Sequence, residues 1–244
     1  MANRLFGKVV LVTGASRGIG RATATALAAD GATVVLAARA VDELARTAEA
    51  VRQAGGEALT VPVELTDEAS IRSLVATVEQ KLGRLDVLIN NAGVTHSGPL
   101  QDTPTDRFDH LMAVNVRGPF ILIREALPLL CQSDCGIIVN VSSVVGVKGY
   151  PYQSAYTASK HALRGMSIAL AEELRAEKRN VRVHVICPGG VDTEMVSRVR
   201  PDIDKQDLIR PEEIAELIRY LVTHEGNAVV DELHIRRATS SPWF

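Results

Sequence analysis

The feature that most constrains this chain is an alternation kept from end to end. Short, continuous apolar runs are separated by longer stretches of helical period. Lys8–Thr13 (KVVLVT), Thr33–Ala38 (TVVLAA), Ala58–Val63, Leu85–Asn90, Gly136–Val141 (GIIVNV), Val181–Cys187 and Val229–Ile235 read as strands. They are rich in β-branched residues and bounded by Gly, Asp or Pro, the pattern of strands covered on both faces. Between them, Ile19–Ala29, Glu43–Ala54, Ile71–Leu82, Arg107–Leu130, Tyr156–Glu177 and Glu212–Val222 carry the helical period. Asp67 and Ser70 are candidate helix starts, and Pro211 before two glutamates suits a first turn. Strand–helix alternation requires right-handed crossovers, which predicts an α/β fold: a Rossmann-like, doubly wound, seven-stranded parallel sheet with helices on both faces. No linker or repeat interrupts the 244 residues, so one domain over 1–244 is expected.

Composition narrows the function classes. With 46% hydrophobic and 23% charged residues and a net charge of -2, nothing calls for nucleic acid or an anionic membrane as partner. The apolar run near the N-terminus is too short for a signal peptide or a membrane span. Three cysteines and six histidines lack metal-ligand spacing, so no metal site and a cytoplasmic location are expected.

The first strand runs directly into 13-TGASRGIG-20 and then a helix. A strand, a tight glycine turn and a helix N-terminus form an anion site, with backbone N–H groups aimed at a phosphate and no Cβ to keep it away. Gly14, Ser16, Arg17, Gly18, Ile19 and Gly20 are therefore candidate dinucleotide contacts. An NAD site places an acid at the end of the second strand for the ribose 2′-hydroxyl. Here that strand ends in Ala37-Ala38-Arg39, with no acid before Asp42. Arg39, with Arg17 nearby, suits a 2′-phosphate, so NADP(H) is favoured over NAD(H).

Tyr156 and Lys160 in 154-SAYTASKHAL-163 stand four residues apart, one turn of a helix, and so share a face. Alone this spacing is weak. With 90-NNAG-93, Asn115, 140-NVSS-143 and 188-PGGVDT-193 in order, the chain to about Glu194 resembles the short-chain dehydrogenase/reductase family in its compact form. The resemblance implies Ser143 as the catalytic serine, thirteen residues before Tyr156, with Ser142 structural. It implies Tyr156 as general acid/base, Lys160 as its activator and nicotinamide-ribose ligand, and Asn115 as holder of a relay water. It places Glu64, Leu65, Asn91, Ala92 and Gly93 along the adenosine half of the cofactor. Pro188, Gly189, Val191 and Thr193 fall at its nicotinamide end.

The activity implied is interconversion of a carbonyl and an alcohol on a small-molecule substrate, of 3-oxoacyl or hydroxy-acid type, in a homotetramer or homodimer. The same scaffold hosts epimerases and dehydratases, and a non-catalytic NADP-binding sensor is a further alternative. A tyrosine has an ordinary pKa of about 10, and Lys160 is expected to lower it. His161 turns about 100° away from Lys160 and reads as helix surface. Tyr150 and Tyr152 are candidate pocket walls, and Trp243 and Phe244 candidate covers for a pocket or a neighbour. The ending, 226-GNAVVDELHIRRATSSPWF-244, departs from the family pattern and resembles branches acting on small hydroxy acids.

Overall fold

A computed structural model describes residues 4–242; Trp243 and Phe244 lie outside the described residues. Seven strands form one parallel sheet: β1 (Val9–Thr13), β2 (Thr33–Ala38), β3 (Glu57–Pro62), β4 (Val87–Asn90), β5 (Gly136–Val141), β6 (Val181–Pro188) and β7 (Glu232–Ile235). Their order is β3-β2-β1-β4-β5-β6-β7, so the direction of winding reverses between β1 and β4. At such a reversal the two neighbouring crossovers leave on opposite faces, opening a crevice at the carboxyl ends of the strands.

The helices between the strands are α1 (Gly18–Ala28), α2 (Val41–Gln53), α3 (Glu68–Leu82), α4 (Thr105–Met112), α5 (Gly118–Leu130), α6 (Ser154–Ala176), α7 (Glu194–Val199) and α8 (Pro211–Thr223). Alternate β1 side chains feed opposite cores, as the two-residue period of a strand demands. Val10 and Val12 pack with Leu27 of α1, Leu44 of α2 and Ile218 of α8. Val9 and Leu11 pack with Leu74 of α3, Leu122 of α5 and Leu174 of α6. Each fully buried aliphatic side chain contributes roughly 1.5–3 kcal/mol, which is why such runs stay in the sheet.

Local signals work as read in most places. The Asp67 carboxylate caps α3 by accepting from Ala69 N at 2.9 Å. Pro211 opens α8, and the Glu213 carboxylate accepts from Arg210 N at 2.9 Å. Ser70 is not a start; it lies inside α3, and its hydroxyl accepts from Glu64 N at 3.0 Å, tying the end of β3 to the helix.

The larger correction concerns Arg107–Leu130, which is two helices joined by one π-helical turn at Ala113–Arg117. Gly118 begins α5 where a Cβ would stand 2.9 Å from the Leu65 carbonyl, and Pro119 follows with no N–H to give. The wide turn carries Asn115 inward, fully buried. The seventh strand is shorter than expected, since Val229–Asp231 lie outside it. Phe120 and Ile168 stand exposed on the outer faces of α5 and α6.

Candidate active site

The carboxyl ends of the strands border one cleft of 1390 Å³. Its floor on one side is the glycine turn. Gly14 has φ +63, and Gly20 lies where a Cβ would stand 2.3 Å from the Gly14 carbonyl oxygen, so the turn closes only with glycine at these positions. The Asn91 amide braces the turn by donating to Thr13 O at 2.9 Å, while Thr13 Oγ1 accepts from Asn91 N and Ala92 N, each at 3.1 Å. Helix α1 starts on this turn with no side-chain cap and no acid in its first turn. Its first N–H groups and the positive end of its dipole are thus left for an anion, which fits the pyrophosphate of a dinucleotide.

Along the cleft, Gly14, Ser16, Arg17, Gly18, Ile19, Arg39, Glu64, Leu65, Asn91, Ala92 and Gly93 lead to Ser143, Tyr156 and Lys160, and then to Pro188, Gly189, Val191 and Thr193. Of the sequence-predicted residues, Gly20 and Asn115 do not line it. Gly20 supports the turn from behind. The Asn115 amide donates to Val94 O at 2.8 Å and to Ser159 Oγ at 3.0 Å, while its oxygen accepts from Val94 N at 2.9 Å. That side chain is committed to clamping the loop after β4, so a relay water at this residue would fall to its backbone carbonyl. Asn90 bridges β4 and β5, donating to Asn140 Oδ1 at 2.8 Å.

The Tyr156 and Ser143 side chains border the cleft together. Crowding around the hydroxyl pushes its pKa up to about 12, and the Ser143 contact only partly opposes this. The ring keeps part of its surface open to the cleft. Behind it, Lys160 is 3% exposed, donates to Val141 O at 2.9 Å, and places its ammonium 5.9 Å from the centre of the tyrosine ring. Burial pulls its pKa down to about 8, with the Cys187 thiol opposing. Burial thus moves the tyrosine in the direction opposite to the lowering expected from the lysine. At neutral pH the arrangement holds a protonated phenol beside a charged ammonium, a proton donor directed at the cleft. The Ser142 hydroxyl donates to Lys160 O at 3.1 Å and steadies α6. His161 is exposed and bonds only to Thr157 O, the helix-surface role expected of it.

At the adenosine end, Arg39 lines the cleft with its guanidinium 3.6 Å from Glu64. The acid absent from the end of β2 is thus supplied by the loop after β3. Arg17 departs from the sequence reading: it pairs with Glu194 of α7, which also holds Arg198. This places it across the mouth of the cleft, tied to the segment after β6.

Three further groups of residues line the cleft. They are the α7 face (Met195, Val196 and Val199), Arg200 and Ile203 beyond it, and Arg236, Arg237 and Ser240 of the tail. The departure of the tail from the family ending was visible in the sequence, but its return over the strand ends was not. Tyr150 lines the cleft; Tyr152 does not, being 65% exposed with φ 63 at the turn before α6. No group of three or more His, Cys, Asp or Glu among the described residues could hold a metal ion, and none of the described helices is long and apolar enough to cross a membrane.

Comparison with known proteins adds independent findings. A family model described as short chain dehydrogenase matches residues 8–204. A 3-oxoacyl-[acyl-carrier-protein] reductase of Thermotoga maritima is 36% identical over 241 residues, covering 94% of this chain and 96% of the relative. The alcohol dehydrogenase of the archaeon Thermococcus sibiricus, solved with 5-hydroxy-NADP, superposes with a TM-score of 0.87 at 31% identity over 97% of this chain and 99% of that one. A metagenomic short-chain oxidoreductase in complex with NADP gives 0.84 at 37% identity, covering 96% and 99%.

Proposed function

The chain belongs to the short-chain dehydrogenase family, and from that premise we propose that it is an NADP-dependent reductase of ketones or aldehydes, with Tyr156 as the proton donor. The observation that carries this reading is Tyr156, Ser143 and Lys160 lining the same cleft as the bare N-terminus of α1. NADPH, when bound, supplies the hydride. Everything else falls to the chain. The turn 14–20 and α1 hold the pyrophosphate through backbone N–H groups. The loop 188–193 faces the nicotinamide end.

Ser143 Oγ orients the carbonyl oxygen of the substrate and Tyr156 Oη gives it a proton as negative charge develops there. A phenol titrating near 12 stays protonated at neutral pH, which suits reduction. Lys160 keeps a positive charge beneath the ring and stabilises the tyrosinate left behind. The cofactor preference rests on Arg39: a 2′-phosphate offers its guanidinium a doubly charged partner in exchange for Glu64. Two further features of the reading are a cytoplasmic enzyme and assembly through the outer faces of α5 and α6.

The experiment is direct. Purified protein is mixed with NADPH or NADH and a panel of ketones and aldehydes while cofactor absorbance is followed. Oxidation of NADPH, faster than of NADH, is expected with at least one carbonyl. Cofactor binding without turnover of any carbonyl would favour a sensor instead.

A further inference from the structure

The arginines of the cleft divide by what they touch. Arg17 and Arg198 share Glu194, Arg39 faces Glu64, and Arg200 makes a two-pronged pair with Asp202 at 2.8 and 2.7 Å. Arg236 spends its guanidinium on carbonyls of its own tail, reaching Ser240 O at 2.6 Å and Arg237 O at 3.2 Å. Arg107 stands exposed at the rim. Arg21, also half-buried and without a carboxylate partner, donates instead to Ser16 O and Thr47 Oγ1. Arg237 differs from all of these: it is half-buried, lines the cleft, and among the described residues its guanidinium makes neither an ion pair nor a hydrogen bond. Asp202 attracts it from beyond ion-pair distance and is already held by Arg200. A partly desolvated guanidinium without a counter-ion is costly unless a ligand supplies one.

The tail is built to hold it there. Ile235 pairs with Pro188, Gly189 N donates to Ile235 O at 2.7 Å, and Ser240 N donates to Arg237 O at 3.0 Å. A Cβ on Gly190 would meet Leu208 Cδ2 at 3.0 Å and Arg237 Cδ at 3.5 Å, so the glycine leaves room for the arginine stem. In the sheet, β7 lies two strands from β5, whose end carries Ser143. At roughly 4.8 Å per strand, that separation is about 10 Å. In the sheet order, β5 and β4 stand between β7 and β1, the strand that leads into the anion site at α1.

We propose that Arg237 recognises a carboxylate on the substrate, and that the substrate class is oxo acids whose carboxylate is several bonds from the carbonyl. One guanidinium presents one planar fork, the geometry of a carboxylate. This inference rests on the carbonyl-reductase reading and names the substrate for the same site.

The test compares 4-oxopentanoate, its methyl ester and 2-oxopentanoate as substrates with wild type, Arg237→Met and Arg237→Lys. Wild type should prefer 4-oxopentanoate to the ester and to 2-oxopentanoate. Arg237→Met should lower kcat/KM for the acid about tenfold or more, leaving the ester and the KM for NADPH unchanged, with partial rescue by Arg237→Lys. Equal losses on acid and ester, a matching rise in the KM for NADPH, or a wild-type preference for 2-oxopentanoate would each overturn the proposal. Calorimetric binding of 4-oxopentanoate keeps the two readings apart. If none of the three is reduced while another carbonyl of the panel is, the substrate proposal falls and the reductase reading stands; if no carbonyl of the panel is reduced either, the reductase reading fails. Loss of binding in Arg237→Met would then still uphold the anion site, and equal or absent binding in both proteins would end it.

Discussion

The two ends of the cleft hold their charges in opposite ways. At the catalytic end, Lys160 is buried and Tyr156 is half-buried at the cleft wall, and desolvation moves both pKa values toward the neutral form. At the adenosine end, Arg39 and Glu64 are 66% and 39% exposed, and they meet at 3.6 Å in water. A buried group acts through the desolvation it suffers, and its loss is felt in full. An exposed pair contributes little to stability, commonly under about 1 kcal/mol, and is free to exchange partners. The first environment suits chemistry, which needs a fixed proton; the second suits recognition of a cofactor that must come and go.

Substitutions at the two ends should therefore differ in size and kind. Tyr156→Phe removes the proton donor while keeping the ring, and kcat should fall by about 10²- to 10⁴-fold with NADPH binding, followed by fluorescence, nearly unchanged. Retention of most of the turnover would remove Tyr156 from the mechanism. Arg39→Asp should have the smaller effect, about tenfold on the KM for NADPH, with the KM for NADH unchanged or lower and kcat intact. Equal shifts for both cofactors would show that Arg39 does not read the 2′-phosphate. Should the exposed substitution prove the more damaging to kcat, the contrast between the ends would not hold.

The same contrast explains what could be read from the sequence. Strand runs such as TVVLAA and GIIVNV have the bounds of their elements because residues buried on both faces must be continuously apolar. Tyr156, Lys160 and Ser143 were legible because a helix turn and a strand end fix their relation locally. What was not legible depends on contacts across the chain. Glu64 reaches Arg39 from the loop after β3, Glu194 reaches Arg17 over 177 residues, and the π-turn at Asn115 answers to the loop at Val94. The upward shift of the tyrosine was not legible for a related reason: spacing gives the distance to a lysine, but the desolvation comes from the packed cleft.

The central claim is that burial keeps Tyr156 a protonated donor. Its folded-state value lies above the ordinary one, so between about 10 and 12 the native phenol keeps a proton the unfolded chain has lost, and stability falls as pH rises through that window. The most direct measurement is the ultraviolet phenolate titration of the ligand-free protein, taken as the difference between wild type and Tyr156→Phe. A Tyr156 signal that emerges only toward pH 12 is the predicted result. Ionisation near neutrality would mean that Lys160 prevails over burial, and would contradict the account.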